Sequence, residues 1–161
     1  MNTENITLEE KKEGLLHEVP LSTSISIKAG LVVTLSLVAY FLTMRMFELH
    51  QVLLFRFFNF FFLVSGIIWA LQRYKTTTGQ KIDYFTGLYI GCYTTIVSVI
   101  PFALFVLLYL TADTAFMQLI VESVPYGNFL TPGTASGAIL IEGTSSGLII
   151  SFIAMQYYKD K

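Results

Sequence analysis

The chain has 161 residues, of which 54% are hydrophobic and 13% are charged, and its mean hydropathy is +0.65. This apolar content exceeds that of an ordinary water-soluble domain and is typical of an integral membrane protein. Ten Lys and Arg against 11 Asp and Glu leave a net charge of -1, which excludes nucleic acid as a partner. One cysteine and two histidines exclude an internal disulfide and a zinc site made of Cys and His alone.

Four predicted membrane spans lie between the charged residues, because a helix that crosses hydrocarbon needs about 20 mainly apolar residues. We place them at about 29–47, 52–71, 84–110 and 136–158. The second is rich in phenylalanine, and the third lies in a charge-free run. The sequence therefore predicts an all-α, polytopic membrane protein with the lipid bilayer as its surroundings.

Two short amphipathic helices are expected outside the spans. Thr7 and Glu10 have the spacing of a capping box, and we expect the helix that follows them to stop at Pro20. Residues 1–28 would then form a cytoplasmic segment and residues 29–161 a four-helix transmembrane domain. In the last outer loop, Asp113 is placed to cap a second short helix that ends near Val124 and lies flat on the outer surface.

The basic residues predict the orientation of the chain. With four spans, one side of the membrane holds eight of the ten Lys and Arg, and the other side holds Arg45 and Arg56. Because basic residues are retained on the cytoplasmic side during insertion, we expect a multi-pass protein of the cytoplasmic (inner) membrane with both termini in the cytoplasm.

Glu142 is the residue most suggestive of function, since an ionisable group inside a span is costly. It is predicted to lie about two turns into the fourth span, at a depth comparable to that of Arg56, with which it could pair. Asn59 could add a hydrogen bond, and a candidate polar seam continues along the fourth helix through Ser145, Ser146 and Gln156. The pair either fixes the helix register or belongs to a path for an ion, a proton or a substrate.

Small residues predict where the helices pack. Gly87 and Gly91 give a G-x-x-x-G in the third span, and Gly143 and Gly147 give one in the fourth. Helices in lipid associate where such residues allow close backbone approach, so we expect these two spans to pack antiparallel, with homodimerisation as the alternative. Gly133 and Gly137 repeat the spacing at the start of the fourth span.

Two further residues of the third span have structural interpretations. Pro101 removes a backbone hydrogen bond to Val97, which predicts a kink or local opening. Cys92 has no visible partner, which favours a small apolar role over a reactive one. The sequence shows no catalytic motif, so we expect no enzymatic activity, no cofactor and no metal.

The stretch from Tyr74 to Leu119 contains the segments KTTTGQKIDYF, GLYIGCYTT and LTADTAFMQL. This stretch and the order of the predicted elements resemble small bacterial four-helix membrane proteins grouped as a domain of unknown function. The resemblance covers the first three spans. The resemblance implies a four-helix membrane fold and brings no binding or catalytic residue with it.

The sequence thus favours a non-enzymatic membrane protein that acts through helix contacts with itself or with other membrane proteins. The alternative is a small ion- or proton-coupled transporter or channel that uses Glu142 in its polar seam.

Overall fold

The computed structural model describes residues 3–47, 53–79, 81–123 and 127–158, with the side chains of 21–47, 58–79, 81–123, 127 and 129–158. Within these ranges the chain is all-α, as the sequence predicts, and contains no strand. The helices are α1 (Thr3–Met46), α2 (Leu53–Thr78), α3 (Tyr84–Ala112), α4 (Thr114–Ser123) and α5 (Pro132–Tyr158). A short 3-10 turn, Gly127–Phe129, precedes α5.

Three of the described helical segments are long and apolar enough to cross a membrane: Leu21–Met46 within α1, Tyr84–Ala112 and Pro132–Tyr158. Each has large apolar side chains on its outside, such as Leu35 (69% exposed), Leu108 (63%) and Ile141 (73%). Such surfaces are stable in hydrocarbon and unstable in water. By length and composition, these helices are those of a membrane protein.

The first helix differs from its prediction. The expected stop at Pro20 is wrong, because α1 runs as one helix from Thr3 to Met46. A proline inside a helix loses one hydrogen bond and costs about 3 kcal/mol, which packing beyond it can offset. That packing begins at once, since Ser22, Ile25 and Ser26 are all buried. The membrane-compatible stretch accordingly starts at Leu21, before the predicted boundary at 29.

The last helix begins four residues before the predicted span, at Pro132. Thr131 caps it, because the Thr134 backbone N–H donates to the Thr131 hydroxyl (3.1 Å) and the Thr131 N–H donates to the Thr134 hydroxyl (2.8 Å). Proline is well suited to the first helical position, where its missing N–H would have no partner within the helix. The reciprocal cap therefore places the start of α5 outside the predicted span.

The long helices alternate in direction. Gly66 of α2 lies against Val33 of α1, and the ring of Tyr40 lies 5.5 Å from that of Phe62, so α1 and α2 are antiparallel. The helix α3 runs parallel to α1, because Ser26 contacts Ile90 and Arg45 contacts Asp113. It runs antiparallel to α5, because Gly87 lies against Met155 and Val99 lies against Gly143. It contacts all four other helices and forms the centre of the bundle.

A corner joins α3 to α4. Asp113 follows α3 directly, and its carboxylate accepts the backbone N–H of Phe116 (3.0 Å) at the start of α4. Phe116 is only 2% exposed, and its ring meets the edge of Phe41 at 6.1 Å. The cap and this buried ring fix α4 against the end of the bundle.

Candidate functional site

The interface between α3 and α5 is a regular antiparallel ladder of small residues. Moving one turn at a time along α3, Gly87 lies against Met155, Gly91 against Ser151, Thr95 against Gly147, and Val99 against Gly143. A Cβ added at Gly143 would lie 2.8 Å from Val99 Cγ1, and one added at Gly91 would overlap Ser151. Of the six glycines named from the sequence, four (Gly87, Gly91, Gly143 and Gly147) therefore lie between α3 and α5, where the backbones approach closely.

A second small-residue interface joins α1 and α3, and the sequence analysis missed it. Ser22, Ser26, Gly30 and Thr34 follow one another at four-residue spacing along α1. The hydroxyl of Ser26 donates to the Ile90 carbonyl (3.3 Å), and a Cβ added at Gly30 would lie 2.6 Å from Val97 Cγ1. The four-residue spacing could have revealed this face, but the predicted span began after the charged Lys28, at residue 29, which left Ser22 and Ser26 outside it.

The hydroxyl of Thr34 lies beside the proline-containing turn of α3. Because Pro101 has no N–H, the carbonyl of Val97 lacks the helical donor that would normally reach it. The Thr34 hydroxyl lies 3.4 Å from that carbonyl, 3.2 Å from the Ser98 carbonyl and 2.9 Å from the Gly30 carbonyl of its own helix. The helix α3 continues through Pro101, and a hydroxyl from α1 faces the carbonyl that the proline leaves without a donor.

The centre of α3 carries buried hydroxyls between these two interfaces. Thr94, Thr95 and Ser98 are at most 1% exposed. The Thr95 hydroxyl donates to the Gly91 carbonyl (2.8 Å) and the Ser98 hydroxyl to the Thr95 carbonyl (3.0 Å), whereas Thr94 Oγ1 has no hydrogen-bond partner within the described part of the chain. Cys92, on the same helix, is half-buried. The polar residues thus lie inside the bundle and satisfy mainly their own backbone.

Glu142 has a different environment, on the outer surface of α5. Its neighbour Gly143 packs against Val99, which places Glu142 level with the middle of α3. It lies ten residues after Pro132, or about 15 Å into α5. Its side chain is exposed, and so is that of Ile141 (73%). The carboxylate therefore lies at mid-depth on a surface that is otherwise mainly apolar.

The other members of the predicted seam do not form one buried path in the described residues. Ser145 and Gln156 are exposed and Ser146 is half-buried. Asn59 lies on α2, where its side-chain oxygen is buried and has no hydrogen-bond partner in the described ranges. Arg56 is in α2 as well, but its side chain lies outside the described residues, so its pairing with Glu142 stays a prediction.

The outer face of α5 also contains glycines with open space beside them in the described part of the chain. A Cβ at Gly137 would have no atom within 4 Å, and one at Gly133 would meet only Thr131 Oγ1 at 3.8 Å. With Ile141 and Ser145 these glycines form a stripe at four-residue spacing. We call this stripe, together with the adjacent Glu142, the outer face of α5.

One ion pair lies at the end of the bundle where α3 is followed by α4. Arg45, at the end of α1, lies 3.4 Å from the Asp113 carboxylate and 4.4 Å from the centre of the Phe116 ring. The backbone N–H of Phe116, followed by the guanidinium of Arg45, lowers the pKa of Asp113 below its usual value, against the opposing effect of desolvation. This cluster positions α4 against the end of α1.

The fold and the two interfaces define, for the described residues, an α-helical membrane protein with a packed interior and a mainly apolar exterior on which Glu142 is exposed. Among the described residues, no group of three His, Cys, Asp or Glu side chains could hold a metal ion. No protein-family model, curated protein or solved structure matches the chain. The resemblance to small four-helix membrane proteins of unknown function therefore stays a prediction.

Proposed function

We propose that the chain is a non-enzymatic, four-span protein of the cytoplasmic membrane that acts by helix contact with another membrane helix through the outer face of α5. The observation that carries this proposal is the exposed Glu142 at mid-depth. An ionisable group within a span is costly, by roughly 2.5–3.5 kcal/mol on insertion scales. A second helix packed on this face would shield the exposed carboxylate from lipid, whichever contacts it makes within its own chain.

The small residues support the same surface. Helix association in lipid depends on close backbone approach, and α5 has already used Gly143 and Gly147 against α3. Gly133 and Gly137 have open space around them. A partner helix could therefore approach α5 along this stripe without displacing any contact inside the bundle.

The fourth span is α2. It has 26 residues, and its described part exposes Phe58, Phe60, Phe61 and Trp69 by 44–61%, an apolar surface that favours lipid. With α2 as a span, the alternating helix directions support a topology with both termini on one side, and the excess of basic residues supports the cytoplasm as that side. Accessibility of tags at both termini and in the α3–α5 connection tests this orientation, and a C-terminal tag reachable from outside intact cells contradicts it.

Cysteine cross-linking tests the contact itself. In a Cys92→Ser background, Ser145→Cys on the outer face of α5 should cross-link to a neighbouring chain in native membranes. Ile96→Cys provides the matched control, because Ile96 is 48% exposed on α3 at the level of Thr95. Cross-linking at both positions to the same extent, or at neither, contradicts the proposal.

A second candidate is a transporter or channel that uses Glu142 with Arg56, Asn59, Ser145, Ser146 and Gln156. The buried side-chain oxygen of Asn59, which has no hydrogen-bond partner among the described residues, favours this candidate. A buried acceptor of this kind is commonly hydrogen-bonded to a water molecule. The exposed residues of the seam would form a path only between copies of the chain. Reconstituted vesicles should then show a proton- or ion-dependent flux that Glu142→Gln abolishes, and no flux in the unaltered protein removes this candidate.

A further inference from the structure

We infer that the groove between α1 and α3 binds one anionic phospholipid, with its phosphate at Lys28 and Ser24 and an acyl chain along the apolar residues beyond them. The inference requires insertion into a bilayer and is otherwise independent of the function proposed for α5.

The groove begins as a cavity at the surface of α1. Its volume is about 410 Å³, and its described lining consists of Thr23, Ser24, Ile27 and Lys28. Lys28 is the only charged residue in that lining and is exposed. The Ser24 hydroxyl lies one turn before it on the same helix, so an ammonium and a hydroxyl donor point to one region.

A cross-helix hydrogen bond shows which side of the helix pair the cavity occupies. The hydroxyls of Thr23 on α1 and Tyr89 on α3 are 3.0 Å apart, and Tyr89 stacks on Tyr93 at 5.5 Å between ring centres. The cavity lies on α1, and Thr23 at its edge contacts Tyr89, so the cavity adjoins the contact between the two helices. Tyrosines are enriched at the level of lipid headgroups.

Apolar residues extend from this point along both helices. On α1, Ile27, Leu31 and Leu35 are 38%, 50% and 69% exposed, and on α3, Ile96, Ile100 and Leu104 are 48%, 53% and 54% exposed. The contact of Gly30 with Val97 brings Leu31 level with Ile96, so the two rows lie side by side. An acyl chain can occupy the groove between such rows.

The depth of the lysine fits a phosphate. The Gly30–Thr94 contact makes Lys28 level with Cys92, eight residues or about 12 Å after the start of α3. Since α3 has 29 residues, about 43 Å, it exceeds a hydrocarbon core of about 30 Å. Lys28 thus lies just inside the core boundary, and its side chain, which leans toward the helix N-terminus, reaches back toward Ser24 and the headgroups.

The charge on Lys28 selects the occupant. A zwitterionic lipid presents a compensating cation beside its phosphate, whereas an anionic lipid such as phosphatidylglycerol presents net negative charge to the ammonium. Inorganic phosphate would have the same headgroup chemistry but no acyl chain for the apolar rows. The site therefore fits an anionic phospholipid better than either of the other two ligands.

Thermal unfolding of the delipidated protein in an uncharged detergent tests the inference with three additions: dioleoyl phosphatidylglycerol, dioleoyl phosphatidylcholine and inorganic phosphate. Phosphatidylglycerol should raise the unfolding midpoint saturably, and the other two should not. Lys28→Gln should weaken this binding about fivefold, as expected for loss of one basic residue near a headgroup. Ser24→Ala, which keeps the charge, should weaken it less.

Arg73→Gln is the matched control, because Arg73 is an exposed cation on α2 near the same level of the bundle. It should leave the response to phosphatidylglycerol unchanged. Equal responses to both lipids would identify ordinary surrounding lipid, and a response to inorganic phosphate alone would identify a free-phosphate site; either result overturns the inference. Loss of binding in Arg73→Gln equal to that in Lys28→Gln would also overturn it.

Discussion

The two sides of α5 contain the same spacing of small residues in opposite surroundings. The space beside Gly143 and Gly147 is filled by Val99 and Thr95 of α3, whereas Gly133 and Gly137 have open space beside them. Spacing alone therefore marks a surface that permits close approach, and the partner decides whether the approach occurs. Each pair should respond differently to a larger side chain.

The largest effect is expected from leucine at the packed glycines. Gly91→Leu and Gly147→Leu force a side chain into the neighbouring helix, and dilute detergent is the condition that limits contacts between chains. Overpacking of this kind costs about 1–3 kcal/mol, which corresponds to a fall in the unfolding midpoint of roughly 3–10 °C. Gly137→Leu should leave the midpoint nearly unchanged, because its Cβ meets open space and leucine favours a helix.

Circular dichroism at increasing temperature measures all three variants under one condition. A decrease in Gly137→Leu as large as that in Gly91→Leu would remove the distinction between the two sides of α5. Unchanged midpoints in both packed-glycine variants would show that the ladder does not stabilise the bundle.

The sequence predicts the helices better than it predicts which faces meet. The apolar runs and the Asp113 cap are local signals, and they predict helical segments that the structure contains. The start of α5 depends on a reciprocal Thr131–Thr134 cap in a segment where Pro132 and Gly133 resemble a loop. The length of α1 depends on tertiary packing beyond Pro20, and local helix propensity does not predict such packing.

The surroundings of Glu142 were beyond sequence reasoning for a different reason. Gly133 with Gly137 and Gly143 with Gly147 are equivalent as motifs, so spacing alone does not distinguish the pair that contacts α3, although the sequence favours Gly143 and Gly147. Only the contact of Gly143 with Val99 fixes the rotation of α5, and this rotation places Glu142 on the outside.

A smaller effect should come from the polar contacts inside the packed region. Thr34→Val removes the hydroxyl that faces the Val97 carbonyl and should cost about 1 kcal/mol, within the range measured for hydrogen bonds between membrane helices. In a Pro101→Ala background the restored N–H reaches Val97, so the same substitution should cost less than half as much.

A double-mutant cycle of unfolding free energies measures this difference. Thr43→Val is the control, since the Thr43 hydroxyl donates to the Ala39 carbonyl of its own helix (2.8 Å) at an exposed position. An equal cost of Thr34→Val in both backgrounds would mean that Thr34 acts through Gly30 or Ser98 and does not compensate for Pro101.

The smallest effect concerns the solvent-accessible corner, where Arg45 and Asp113 are 28% and 30% exposed. Because the Phe116 N–H and Arg45 lower the pKa of Asp113, the folded state binds its proton less readily than the unfolded state does. The stabilisation is therefore complete above the unfolded value of about 3.9 and is lost as the pH falls through the lower, folded value.

Asp113→Asn should be less stable than the unaltered protein at pH 7, and the difference should shrink below about pH 4. Glu122→Gln, which removes an exposed acid on α4, is the matched control in the same pH series. A difference between Asp113→Asn and the unaltered protein that stays constant down to pH 3 would show that Asp113 acts through its shape as a cap and not through its charge.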